Sequence, residues 1–134
     1  MRKVTLAGRF AAWLAYRLFR GPFARRSRHI HKLAMKLFRY GAERGDRAAL
    51  TTYGSLLHFR GADSASRTQG ALYLQAAAEQ GDAKALWLVG KFYEEGLLPF
   101  FERDLSKAQN CFKKAADLGH PLAQSYIEKS TPQR

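Results

Sequence analysis

The sequence predicts an all-α chain folded as a short right-handed α-solenoid of helix-turn-helix repeats, with about seven helices in all. Three observations carry that expectation. A motif of small residues recurs as YGAERGDRAAL at 40–50, AAAEQGDAKAL at 76–86 and KAADLGHPLAQ at 114–124. Its glycines, Gly45, Gly81 and Gly119, are spaced by 36 and 38 residues, and a period of roughly 20–50 residues marks units that must stack to bury their apolar faces. Outlying positions also keep the register set by these glycines.

With each glycine taken as zero, Ala42, Ala78 and Ala116 stand three before it, and Ala49, Ala85 and Ala123 four after. Ala34, Gly70 and Ala108 stand eleven before, and the bulky Phe38, Leu74 and Phe112 seven before. Gly54 and Gly90 stand nine after the first two. One copy alone would be only a helix C-cap; three copies with distant positions in step make a repeat. The glycine suits the left-handed residue that ends a helix, and Asp46 or Asp82 can cap the next one. In the third copy Pro121 falls in the first turn, where its missing N–H costs nothing. The alanines and glycines either side of each turn let two helices approach closely. Gly54 and Gly90 would each cost up to about 1 kcal/mol in an exposed helix interior, so a neighbouring helix is the reason for them. Leu50, Tyr53 and Leu57, then Leu86, Val89 and Tyr93, recur at helical spacing as core.

The elements follow in order. Residues 3–20, KVTLAGRFAAWLAYRLFR, form an amphipathic helix with Val4, Ala7, Ala11, Leu14, Ala15 and Leu18 on one face and Arg9, Arg17 and Arg20 opposite. Gly21-Pro22 breaks it, and a second helix carries Ile30, Leu33, Leu37 and Phe38 into the first glycine motif. Ser66 with Gln69 makes a capping box for the helix leading to Gly81. LLPFFERD, after Gly96, is an enlarged turn whose Leu97, Leu98, Phe100 and Phe101 either tuck under the stack or form a contact patch. Residues 120–129 make a last helix, and STPQR frays. The expected organisation is a basic N-terminal helix at 1–21 and a repeat domain at 22–130.

The chain has 134 residues, is 46% hydrophobic and carries a formal net charge of +12, which allows one modest domain. Its charge is uneven: residues 1–42 hold 11 Arg and Lys and no acid, while the remainder holds 12 basic and 11 acidic side chains. One cysteine, Cys111, excludes an intramolecular disulfide and a thiolate zinc cluster, which fits a reducing compartment. No apolar run approaches the roughly 20 residues of a membrane span, and no signal-peptide cleavage site follows FAAWLAY. A mitochondrial transit peptide stays open, since residues 1–28 are Arg-rich, acid-free and amphipathic, though poor in serine.

The basic first helix has two readings. It caps the repeat array with its arginines solvated, or it lies on an anionic membrane surface, with Trp13 and Tyr16 near the headgroups and Arg9, Arg17, Arg20, Arg25, Arg26 and Arg28 as contacts. Nucleic acid is disfavoured, because RRSRHIHK could meet phosphates but no base-reading motif is present.

The catalytic signatures H-E-x-x-H, C-x-x-C, G-x-S-x-G, the P-loop and the dinucleotide fingerprint are all missing. His29 and His31 form an HxH pair without an acidic or thiol neighbour, in a segment that would repel a cation. Cys111 reads as a small core residue, and Glu94 and Glu95 as solvated groups at a helix end. No catalytic residue, cofactor or metal is expected.

The residues Ala85, Val89, Gly90, Tyr93, Gly96, Asp104, Lys107, Ala108, Phe112, Lys114, Ala115, Ala116 and Gly119 resemble the pattern of the Sel-one-like repeats, relatives of the tetratricopeptide repeats. The preceding copy matches more weakly, through Ala49, Tyr53, Gly54, Leu57, Gly61, Ser66, Gly70 and Gly81. The resemblance covers about residues 32–128, as two full repeats with flanking half-repeats. It implies a non-enzymatic adaptor that binds another protein or peptide. The first helix of each hairpin commonly lines the groove, and there Lys84, Trp87 and Lys91 share a face, matched one repeat earlier by Ala48, Thr51 and Ser55; packing competes with binding at Trp87. The alternative is a membrane-peripheral protein working through its basic helix. The expected location is cytoplasmic, with the inner face of a membrane as the peripheral site.

Overall fold

Seven helices make up the described residues, 5–20 and 28–131, of the computed structural model. They are α1 (Leu6–Arg20), α2 (Arg28–Glu43), α3 (Arg47–Arg60), α4 (Ser64–Glu79), α5 (Ala83–Glu95), α6 (Leu105–Asp117) and α7 (Pro121–Ser130). The all-α class and the helix number agree with the sequence. The expected break at Gly21-Pro22 lies outside the described residues, as do Arg25 and Arg26.

The three glycine motifs close in one common geometry. Gly45, Gly81 and Gly119 have φ of 83°, 84° and 90°, the left-handed conformation in which a Cβ is disfavoured. Their amides donate to the carbonyls of Ala42, Ala78 and Ala116 at 3.0, 2.9 and 2.9 Å. The next amides, of Asp46, Asp82 and His120, reach Gly41, Ala77 and Ala115 at 3.0, 3.1 and 3.0 Å. These paired bonds satisfy carbonyls that the helix end would otherwise orphan. Each motif then starts the following helix. The Asp46 and Asp82 carboxylates accept from the amides of Ala49 and Ala85 at 2.9 Å, and at the third turn His120 Nδ1 accepts from Ala123 at 3.4 Å. The aspartate caps match the sequence reading; the histidine cap is new.

Chain contacts divide the molecule into two compact units, residues 1–76 and 77–134, with α4 running through the division. In the first unit α2 packs against α1 and α3, and Ala34, Phe38, Ala42, Ala49, Leu50, Ala71 and Leu74 are buried. A Cβ added at Gly54 would stand 2.9 Å from the Gly70 carbonyl oxygen and 3.1 Å from the Leu74 side chain. Two glycines of the register thus meet where α3 and α4 cross.

In the second unit α6 packs against α5 and α7. Ala85, Leu86, Val89, Ala108, Phe112, Ala115 and Ala123 are buried, and Ala78 packs on the Leu86, Ala115 and Ala123 cluster. Here the crossing is filled differently: a Cβ at Gly90 would stand 2.5 Å from Phe112 Cε1. The missing side chain is replaced by an aromatic ring, whose burial stabilises by about 1.5–3 kcal/mol.

Three local expectations need correction. The cap of α4 is Asp63, whose carboxylate accepts from the Ser66 amide at 2.7 Å, not Ser66 itself; an ionised carboxylate there starts the helix earlier, at Ser64. The enlarged turn divides its apolar residues. Phe101 is buried against Phe92 and Tyr93 and exchanges backbone hydrogen bonds with Leu97, whereas Leu98 and Phe100 are exposed.

The third correction is to α1. Ala11 and Ala15 of the expected apolar face are buried and Leu14 and Leu18 half-buried, but Gly8 and Ala12 are buried with them and Ala7 is exposed. Close approach to α2 selects the smallest side chains rather than the most apolar, since a Cβ at Gly41 of α2 would stand 3.2 Å from the Gly8 carbonyl oxygen and 3.4 Å from Ala12 Cβ.

Candidate interaction surfaces

Two surfaces hold the residues singled out from the sequence, one on α5 and one on α1. On α5, the Asp82 cap and the close packing of Gly90 on Phe112 fix which way the helix faces. Lys84, Trp87 and Lys91 then lie at i, i+3 and i+7 along one side. Lys84 is exposed. Trp87 is half-buried in an aromatic cluster with its ring stacked on His120 (5.6 Å, 17°), 5.0 Å from Phe112 and edge-on to Tyr126 at 6.3 Å.

Lys91 stands 6.0 Å from the Trp87 ring centre and donates to Glu94 at 2.9 Å, with Glu95 at 3.6 Å. That hydrogen bond holds the Lys91 ammonium above its ordinary pKa and Glu94 below the usual carboxylate value. The same carboxylate raises the Tyr126 phenol pKa. Trp87 and Lys91 therefore already have intramolecular partners, and Lys84 is the freer cation. One repeat earlier, Ala48 is exposed, Thr51 buried with its hydroxyl on the Arg47 carbonyl, and Ser55 half-buried.

On α1 the structure places Arg9, Arg17 and Arg20 on the exposed side, and Arg28 is exposed at the start of α2. Sequence reading missed that Leu6, Phe10 and Trp13 share that side; the helical positions of 6, 10, 13 and 17 held the signal. Tyr16 is elsewhere than expected. Its hydroxyl is 2.6 Å from Thr52 Oγ1 and its ring stands edge-on to Phe38, so it is a packing residue.

Cys111 is half-buried and burial pushes its thiol pKa up, the opposite of what an activated nucleophile requires. Among the described residues no three His, Cys, Asp or Glu side chains gather where they could hold an ion, and no helix is long and apolar enough to cross a membrane.

A family model described as Sel1 repeat matches residues 9–46, 48–82 and 83–120. The chain belongs to the Sel1 repeat family. The three Sel1 matches coincide with the helix pairs α1–α2, α3–α4 and α5–α6, so α1 falls within the first repeat and α7 follows the third. Among solved structures, the chain is similar to a Sel1 repeat protein from Oxalobacter formigenes, with a TM-score of 0.76 and 21% identity over 91% of this chain and 88% of that one. It is also similar to c5321, a protective antigen of uropathogenic Escherichia coli displaying an SLR fold, with a TM-score of 0.70 and 20% identity over 90% of this chain. That match spans a quarter of the c5321 chain. A comparison with curated proteins finds no significant match. The solenoid fold of Sel1 repeats is thus shown, and such repeats typically serve as protein-protein interaction modules.

Proposed function

We propose that this Sel1 chain is a non-enzymatic adaptor that binds another protein or peptide, with the outward side of α5 as its contact surface. The observation that supports this is the exposed Lys84 beside Trp87 on α5. Lys84 is exposed one turn before Trp87, and Lys91, one turn after it, is held over the ring side by Glu94. A half-buried indole beside an exposed ammonium group suits an acidic segment carrying an apolar side chain: Trp87 supplies rigid contact area and Lys84 selects its charge, while Lys91 is engaged by Glu94. The groups whose chemistry suggests catalysis have structural work instead: Cys111 is packed beside Gly90, His120 caps α7 and Glu94 pairs with Lys91.

The test is capture by the tagged full-length chain, with mass spectrometry, run in parallel for wild type, Lys84→Glu and Lys113→Glu. Lys113 is exposed on α6 and serves as the charge control. A protein retained by wild type and Lys113→Glu, and lost by Lys84→Glu, is the expected result. Equal retention by all three moves the contact off α5. A catalytic activity abolished by Cys111→Ala or Glu94→Gln in a folded chain would overturn the adaptor reading.

A further inference from the structure

On α1, large apolar side chains and cations share one exposed face. Leu6 is 84% exposed, Phe10 62% and Trp13 56%, and their spacing of four and three residues puts them in a line along the helix. Arg17 continues that line, with its guanidinium 5.8 Å from the Trp13 ring centre, and Arg9 and Arg20 are exposed beside it. The line runs about 16 Å from Leu6 to Arg17 at the rise of an α-helix. The other side of the same helix is committed to the fold through Gly8, Ala11, Ala12 and Ala15 and through the Tyr16–Thr52 contact.

We propose that this face of α1 rests on the surface of an anionic lipid bilayer, the helix lying flat with Leu6, Phe10 and Trp13 in the interfacial layer and Arg9, Arg17 and Arg20 among the lipid phosphates. This goes beyond the adaptor reading and uses a different helix. Charge complementarity argues for it. No acid occurs in residues 1–42, and among the described residues of that stretch only Arg39 has an acidic partner, Glu43. An anionic surface attracts such a segment without demanding particular positions for its own charges.

The apolar line decides between polyanions. Phosphate contacts along a nucleic acid need the arginines but give Leu6 nothing to do. Base stacking would need free ring faces, whereas Phe10 and Trp13 lean on each other at 6.0 Å and Arg17 lies over Trp13. In an interfacial layer all three apolar side chains leave water together and the guanidinium groups reach phosphates from the same face. Because the buried side stays docked, the helix meets the membrane without leaving the fold.

The test uses the full chain and vesicles of phosphatidylcholine with and without phosphatidylserine. Wild type should sediment with the anionic vesicles at low salt and be released at high salt, since exposed charges are screened. Two variant sets separate the contributions: Leu6→Ser with Phe10→Ser and Trp13→Ser, and Arg9→Gln with Arg17→Gln and Arg20→Gln. Each should bind at least tenfold more weakly, with arginines contributing about fivefold apiece. Tryptophan quenching by lipids brominated in their chains, present in wild type and lost in Trp13→Phe, gives a readout that does not depend on the triple variants folding. Unchanged binding of the apolar triple variant, or quenching that survives Trp13→Phe, overturns the proposal. So does binding to an RNA or to an acidic protein by a chain that ignores both kinds of vesicle.

Discussion

The Phe112 ring occupies the place where a side chain on Gly90 would begin: an added Cβ would lie 2.5 Å from Cε1 and 2.7 Å from Cδ1. Phe112 itself is fully buried, so the ring has nowhere to retreat. Gly90→Leu should overpack the α5–α6 crossing and destabilise by about 1–3 kcal/mol or more. Lys113→Leu, on the exposed side of α6, should be close to neutral. Thermal melting of the two variants checks this, and a wild-type Tm for Gly90→Leu would contradict the crossing.

His120 does two jobs, accepting from the Ala123 amide through Nδ1 and stacking on Trp87. His120→Asn keeps an acceptor and loses the stacked ring; His120→Ala loses both. A helix N-cap contributes about 0.5–2 kcal/mol and an aromatic pair about 0.5–1.5 kcal/mol. The Asn variant should therefore melt between wild type and the Ala variant. Equal melting of Asn and Ala variants would show that the cap contributes nothing.

The glycine register was legible because it repeats a backbone requirement. Gly45, Gly81 and Gly119 must take a positive φ, and Ala49, Ala85 and Ala123 must be small enough to be buried at the crossings, so the same residue types return at the same offsets. What stayed hidden depends on groups far apart in sequence. Nothing near Tyr16 announces Thr52 as its partner, and nothing near Trp87 announces Tyr126. The buried side of α1 was only partly legible, through Ala11 and Ala15, because hydropathy ranks Leu14 and Leu18 above Gly8, whereas a close helix contact ranks them the other way. Lys84, Trp87 and Lys91 could be placed on one side of α5 from spacing alone; that Glu94 engages Lys91 follows from i, i+3 neighbours whose pairing the sequence permits without requiring.

The Lys91–Glu94 bridge makes a pH prediction. The Lys91 hydrogen bond depresses the Glu94 pKa below its unfolded value, which is about 4.3. The folded state therefore holds fewer protons at this site than the unfolded state. The bridge adds stability above that pH and loses it as pH falls through the depressed folded value. Glu94→Gln should lower stability at neutral pH by an amount on the order of 0.2–1 kcal/mol for a partly exposed pair, read as a lower Tm, and the two melting curves should converge in acid. A gap that stays constant down to about pH 2 would remove Glu94 from the acid response.

Cys111 offers a chemical check. Its thiol is pushed up by burial, and the thiolate is the reactive form. Iodoacetamide should alkylate it more slowly in the folded chain than in the denatured chain. Cys111→Ala should fold, with a destabilisation of about 1 kcal/mol, and should retain whatever partner the wild type captures. Alkylation faster in the folded state would mean that Cys111 is an activated thiol.

The two sides of α1 should respond to mutation in opposite ways. On the inner side, Gly41 of α2 leaves room for α1, since a Cβ there would stand 3.2 Å from the Gly8 carbonyl oxygen and 2.9 Å from Ala49 Cβ. Gly41→Leu should overpack that junction by about 1–3 kcal/mol. Tyr16→Phe removes the hydroxyl bonded to Thr52 at 2.6 Å, a loss of about 1 kcal/mol. On the outer side, Leu6→Ser and Phe10→Ser replace exposed side chains and should leave stability within about 0.5 kcal/mol of wild type. Melting curves for the four variants, read beside their sedimentation with anionic vesicles, separate the roles: the inner variants should lose stability, and the outer ones vesicle binding at unchanged stability. If Gly41→Leu and Tyr16→Phe melt like wild type, α1 is not docked as a helix of the first repeat, and its outward face cannot be the one that meets the membrane.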